Sequence, residues 1–219
     1  MIKNLFTTCL LFTCLSAVAQ DIDKDLLRIK KRMDSVQHFT ADVQLDLEVP
    51  FINMPTKNAS MRYTEGEDIA IASDDFMMLP KRGLDFSLSE IFKYPFITVN
   101  RGTEERNGNT LKVLNIIPDD EKSNLALATL YLDTISKRID SSKITTKKEG
   151  SYALKMEYNG QDDILPAYVE VVFAIEKLKI PLNFMGSDTD IDRKKMRKMD
   201  TKTGKIKLKI DYTKIEYKD

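Results

Sequence analysis

Catalysis in this chain would have to be built from few parts. His38 is the only histidine, and a histidine is the ordinary base at neutral pH. It stands at the end of an apparent helix, with no cysteine to activate and no serine in a nucleophile-elbow motif. It therefore reads as a helix-terminal residue. There is no H-E-x-x-H, and Gly204-Lys205 lacks the preceding glycine of a phosphate-binding loop. Asp188, Asp190 and Asp192 have the D-x-D-x-D spacing of a calcium loop, but Arg193 stands where the loop needs glycine and Met199 where it needs the closing acid. A solvated loop is the better reading. Asp119-Asp120-Glu121 and Asp162-Asp163 read as acidic turns. Arg193, Lys194, Lys195, Arg197 and Lys198 form a basic run that could dock on anionic lipid or an acidic partner, or be a solvated loop. No catalytic set, metal site or cofactor is assigned, and no enzymatic activity is expected.

What remains is patterned apolar surface. Ile22, Leu26, Ile29, Met33 and Val36 recur at spacings of four and three, which predicts one face of a helix. Aspartates stand in its first turn and Lys30, Lys31 and Arg32 later, complementing the helix dipole. Ala41, Val43, Leu45, Leu47 and Val49 then alternate with polar residues, the pattern of a strand with one wet face. Further strands are expected over 58–63, 68–73, 96–101, 111–117, 127–133, 139–146, 152–158, 168–175 and 205–217. The last changes phase at Ile215 and Tyr217, which predicts a bulge near Thr213. Asn107-Gly108 marks a hairpin turn, and glycine turns are expected at 148–151 and 159–162. The run 76–79 is apolar on both faces and ends at Pro80. Ser87-Leu88-Ser89-Glu90 has the capping-box pattern. The apolar segment 84–96 that contains it could be a lid; a short connector helix packed on the sheet is the plainer reading. Residues 183–203 read as a polar, insertion-like loop.

The N-terminus reads as a cleavable export signal. Lys3 precedes an apolar stretch over 5–15, and Ala17-Val18-Ala19 makes an A-x-A site before Gln20. Both cysteines, Cys9 and Cys14, fall within it. Phe12 and Thr13 fit a lipidation motif badly, so the expected mature chain has no thiol. Lys plus Arg equals Asp plus Glu, at 34 each, which makes nucleic-acid binding unexpected. One domain over 20–219 is expected, behind a signal at 1–19. Its fold class is mainly β with α+β character: a curled antiparallel sheet, an incomplete barrel, covered by an N-terminal helix and short lid helices. Such a sheet can hold a ligand where its own side chains leave space, and the ten methionines suit adaptable apolar binding.

The run Val36-Gln37-His38-Phe39-Thr40-Ala41-Asp42-Val43, set between an amphipathic helix and an alternating strand behind an export signal, resembles the opening of the LolA family of periplasmic lipoprotein carriers. The order of elements matches over most of the mature chain. The motif is short, and two features depart from the family: Arg62 is followed by Tyr63 where an Arg-Pro step is common, and tryptophan is absent. The first departure puts an Arg62 latch on the lid in doubt. The resemblance implies a monomeric periplasmic carrier that binds the acyl chains of lipoproteins, taken from an inner-membrane donor complex and delivered to an outer-membrane acceptor. On that reading Leu26, Ile29, Met33 and Val36 form the helical side of the lipid cavity, and Val43, Leu45, Leu47 and Val49 part of its wall. Leu88, Ile91, Phe92 and Phe96 form the lid; the loop 183–203 with its basic run is a natural docking site on the alternative reading that follows. The alternative is a lipid- or lipoprotein-sensing, protein-binding module on the same fold that moves no cargo.

Overall fold

The computed structural model describes residues 22–67, 69–73, 88–148, 150–174, 188–198 and 203–218. The signal segment and the 76–79 run lie outside them. Helix α1 (Lys24–Met33) starts where Asp23 accepts the backbone N–H groups of Asp25 (3.0 Å) and Leu26 (3.4 Å), an N-cap that satisfies donors the helix cannot pair itself. It ends at Asp34, earlier than the periodicity predicts. Strand β1 (Val36–Glu48) begins two residues later. Val36 and His38 are therefore strand residues. β-Branched Val36 and the β-preferring Phe39 and Thr40 open that strand.

Then follow β2 (Ile52–Asn53), β3 (Lys57–Thr64), β4 (Ala70–Ala72), helix α2 (Ser89–Phe92), β5 (Phe96–Arg106), β6 (Asn109–Pro118), β7 (Leu125–Asp133), β8 (Arg138–Thr146), β9 (Gly150–Glu157), β10 (Tyr168–Ala174), β11 (Asp190–Ile191), helix α3 (Arg193–Lys198) and β12 (Thr203–Tyr217). One antiparallel sheet has the order β4-β3-β1-β12-β10-β9-β8-β7-β6-β5, and β2 pairs with β11 apart from it. The sheet is open: β4 and β5 are its edges among the described residues. Ten strands laid flat would span about 45 Å, too wide for one short helix to cover. Yet Met61 of β3, near one edge, and Phe96 of β5, at the other, belong to the same buried core. The sheet curls around that core, with α1 closing one side.

Local chemistry explains the details. Asn107 (φ +50°) and Gly108 (φ +79°) make the β5–β6 turn, the geometry whose twist matches a hairpin. β5 passes Gly102 (φ +90°) as a bulge, with Asn100 Oδ1 accepting the Gly102 N–H at 2.8 Å, so the strand runs on to Arg106. Opposite β1, Thr40 pairs with Lys214 and Ala41 with Tyr212. Thr213 is thus the extra residue of a bulge, and its hydroxyl lies 2.8 Å from that of Thr40. Without it, the side chains of β12 would change faces at a single step.

Two expectations are corrected. The stretch 183–203 is not simply a polar loop: its described part forms β11 and α3. Asp192 caps α3, accepting the N–H groups of Lys194 (3.0 Å) and Lys195 (2.9 Å), while Ile191 and Met196 pack on the core. Two apolar residues spaced five apart carry too little periodic signal for this to be read in advance. The segment 84–96 is not one helical unit either. Within its described part the helix spans four residues, its N-cap is Leu88 with no side-chain cap bond, and Phe96 already belongs to β5, paired with Pro118. Pro95 ends the helical backbone and favours an extended predecessor.

Candidate functional site

The inner face of the sheet collects the predicted apolar residues. On β1, Phe39, Ala41, Val43 and Leu45 are buried, Leu47 is half-buried, and Val49 just beyond is buried. Their partners on β12 continue the face: Val43 lies opposite Ile210, Leu45 opposite Leu208 and Leu47 opposite Ile206. Next to these come Val169 and Val171 on β10 and Leu154 and Met156 on β9. Leu26 and Ile29 of α1 are buried against this face and Met33 is half-buried. Seven of the eight residues proposed to line the cavity belong to this core or pack against it from the helix and strand face read for them. Val36 joins it too, but from β1 rather than from the helix.

Position along the chain explains the cover. Asp23 and Asp25 reach Lys112 of β6, with Lys112 Nζ at 2.6 and 2.7 Å from their carboxylates. The backbone N–H of Asp23 donates to Thr98 Oγ1 of β5 at 3.2 Å. Hydrogen bonding from Lys112 holds the Asp25 carboxyl below the usual carboxylate range, against a smaller opposing effect of burial. Burial would lower the Lys112 pKa, but its hydrogen bonds to Asp23 and Asp25 leave it raised. At the other end, Arg32 donates to the carbonyls of Ser136 and Asp162. The helix is therefore pinned at both ends.

α2 is held more lightly. Phe92 meets Phe96 edge-on at 5.1 Å between ring centres, and the Lys30 ammonium lies 5.2 Å from the Phe92 ring centre. Leu88 is buried; Ile91 and Phe92 are half-buried. Its Phe92 N–H donates to the Leu88 carbonyl (2.9 Å). Of the four lid candidates, Leu88, Ile91 and Phe92 sit on this element, and Phe96 is part of the sheet beneath.

Several contributors are not among the residues proposed for the cavity. Phe39 stacks on Tyr63 (5.3 Å) and meets Tyr212 edge-on (5.4 Å), closing one end of the inner face. The signal existed, because Phe39 precedes Ala41 and Val43 at the same two-residue spacing. Burial raises the phenol pKa of Tyr212, and its hydroxyl donates to the Pro166 carbonyl at 3.1 Å. Lys57 is the surprise. It is only 2% exposed, on the inner side of β3, and its Nζ lies 2.5 and 2.6 Å from the carboxylate oxygens of Asp188. No local pattern announces a buried lysine whose partner is more than a hundred residues away.

The polar candidates have structural posts. Asp188 pairs with Lys57, Asp190 lies in β11 and Asp192 caps α3. His38 is half-buried in β1, its Nδ1 3.4 Å from Thr64 Oγ1. Arg62 is exposed on the wet side of β3 with Asn58 and Ser60, so it does not latch the inner face. Arg193, Lys194, Lys195, Arg197 and Lys198 are all exposed on α3. On the outer side a polar groove of about 500 Å³ runs between β12, β1 and β3, lined by Asp42, Gln44, Asn58, Ser60, Lys209 and Asp211.

No protein-family model matches the chain. No curated protein is a significant match. Among solved structures, the chain is similar to a LolA superfamily protein from Nitrosomonas europaea, at 10% identity over 89% of this chain and 94% of that one, with a TM-score of 0.47. It is also similar to a candidate outer membrane lipoprotein-sorting protein domain from Vibrio parahaemolyticus (11% identity, 88% and 92% covered, TM-score 0.43) and to a DUF1329 family protein from Desulfovibrio piger (11%, 88% and 90%, TM-score 0.47). At TM-scores below one half, these likenesses by themselves decide no function.

Proposed function

We propose that this protein is a periplasmic carrier that takes acyl chains of lipoproteins or lipids onto the inner face of its sheet, beneath α1 and α2. The observation that carries the reading is the unequal cover: an apolar face roofed by one helix pinned at both ends and by a second, four-residue helix held through side chains. A helix of one turn has no stability of its own in water, so α2 stays down only through what it buries. Lifting it exposes Leu88, Ile91 and Phe92 along with Phe96 below. An acyl chain can replace those contacts, because each methylene withdrawn from water is worth about 0.8 kcal/mol. The opening of the chain, with its resemblance to the LolA family, supports the same reading. Export of the chain as a soluble, cleaved form is part of the proposal.

The test is mass spectrometry of the natively purified protein followed by transfer of labelled acylated cargo to acceptor vesicles. Co-purified acyl lipid and transfer are the expected results. Absence of both sinks the carrier. Retention of lipid without transfer favours the second reading, a sensing or docking module, for which α3 is the specific feature: its cations stand on an ordered, capped helix anchored by Met196.

A further inference from the structure

Among the described residues, the most exposed large apolar side chain is Ile135, at 80%. It sits on the turn between β7 and β8, and that turn is firmly held. Asp133 Oδ1 accepts the N–H groups of Ile135 (3.1 Å) and Ser136 (2.9 Å), and Arg138 Nε lies 3.5 Å from the other carboxylate oxygen of Asp133. Arg32 of α1 donates to the Ser136 carbonyl, and Lys137 takes a left-handed conformation (φ +52°) that completes the turn. An apolar tip on a loose loop can fold back out of water. This one cannot.

Beside the tip lies a groove of about 580 Å³ whose lining includes Arg28, Lys31, Arg32, Lys137 and Asp162. Four cations against Asp162 and the Asp25 carboxylate beside Arg28 leave a local charge of +2 on a chain whose net charge is zero. Arg28 shares its charge with Asp25 at 3.0 Å. Arg32 donates to backbone carbonyls, which leave its charge uncancelled. Lys31 and Lys137 are exposed and hold no ion pair among the described residues. Leu27, one turn before Lys31 on the same helical face, is 42% exposed.

We propose that this corner is a membrane-docking surface: Ile135 enters the interfacial layer of an anionic bilayer while Arg28, Lys31, Arg32 and Lys137 meet lipid phosphates. A free anion would use the cations and leave Ile135 in water; a lipid surface satisfies both. Exposed apolar tips flanked by cations gain from the hydrophobic layer and the negative surface potential together. The proposal stands apart from acyl binding, since none of these side chains belongs to the inner face.

The test is vesicle flotation of the protein, all variants in the same N-terminal form. Vesicles of phosphatidylcholine are compared with an equal mixture of phosphatidylcholine and phosphatidylglycerol. Binding to the anionic vesicles alone is expected, strongly weakened at roughly 0.5 M salt. Ile135→Ser should weaken it about tenfold, and Lys31→Gln and Lys137→Gln about fivefold each. These positions are exposed, so melting temperatures should not move, and binding of acylated cargo in solution should be retained. Equal binding to both vesicles, no binding to either, or binding indifferent to Ile135→Ser overturns the proposal. So does complete displacement by inorganic phosphate at an ionic strength where chloride leaves binding intact, which would mark a free-anion site.

Discussion

Gly204 shows how closely single atoms are fitted at the inner face. A Cβ built there would lie 2.8 Å from Phe173 Cζ and 2.8 Å from Val49 Cγ2. Both contacts are core side chains with nowhere to retreat, so Gly204→Ala should destabilise by about 1–3 kcal/mol through overpacking, as read in a denaturant melt. A shift within error would mean that β12 moves outward at this point. The Lys112 cluster makes a pH prediction. The Asp25 pKa is depressed in the folded protein. Its contribution is therefore present above the unfolded value of about 3.9 and is lost as pH falls through the lower folded value. Lys112→Met should cost about 1 kcal/mol at neutral pH, solvent screening included, and should flatten the acid limb of the melting-temperature profile. A variant with an unchanged acid limb would assign the acid sensitivity to other carboxylates. The roles of Gly204, Lys57 and Lys112 were all illegible from the chain. Each is defined by a partner far away in sequence, and residue type alone does not name that partner.

At the scale of elements, α2 is the test of mechanism. Amide exchange over residues 88–94 should be fast in the empty protein and slowed by an acyl ligand, because a helix of four residues has too little length to be stable alone. Phe92→Ala should change cargo affinity more than it changes the global melt. Protection as strong as in β1 and β12, indifferent to ligand, would make α2 a fixed connector. The β11–α3 unit depends on a different contact. Lys57 and Asp188 tie it to β3, and Lys57 holds the Asp188 carboxyl below the usual range. Asp188→Ala leaves a buried ammonium without its partner and should expose α3 to limited proteolysis while the sheet stays intact. Cleavage no faster than in the wild type would show that β2 and Met196 hold the unit unaided.

For the whole molecule, the decisive fact is that β12 lies between β1 and β10. Consecutive hairpins build β5 through β10, and β1, β3 and β4 form a second group; the last strand joins the two. Folding must therefore wait for a pairing between the ends of the chain, such as Leu45 with Leu208, and topologies dominated by such distant contacts fold slowly. A chain terminated before Thr203 should lose the cooperative transition and protease resistance together. A truncated chain that still melts in one sharp step would mean that the β5–β10 meander is stable alone.

The sequence by itself determined most of what is periodic. Alternation along 41–49, the Asn107-Gly108 turn and the change of phase at Thr213 each reflect a local rule, since a strand has a period of two and a turn needs particular backbone angles. For the same reason the apolar inner-face residues were legible as a class, before any of them had a neighbour. The helix boundary before Val36 is not legible from spacing, because apolar spacing of three or four is ambiguous over a few residues, where β-branched residues decide. Tertiary structure alone decided which strands meet, that Lys57 could be buried, that 188–198 would order as β11 and α3, and that Phe96 belongs to the sheet rather than to its cover. These outcomes depend on contacts between distant segments, and the energy of such contacts is written in no single stretch of the chain.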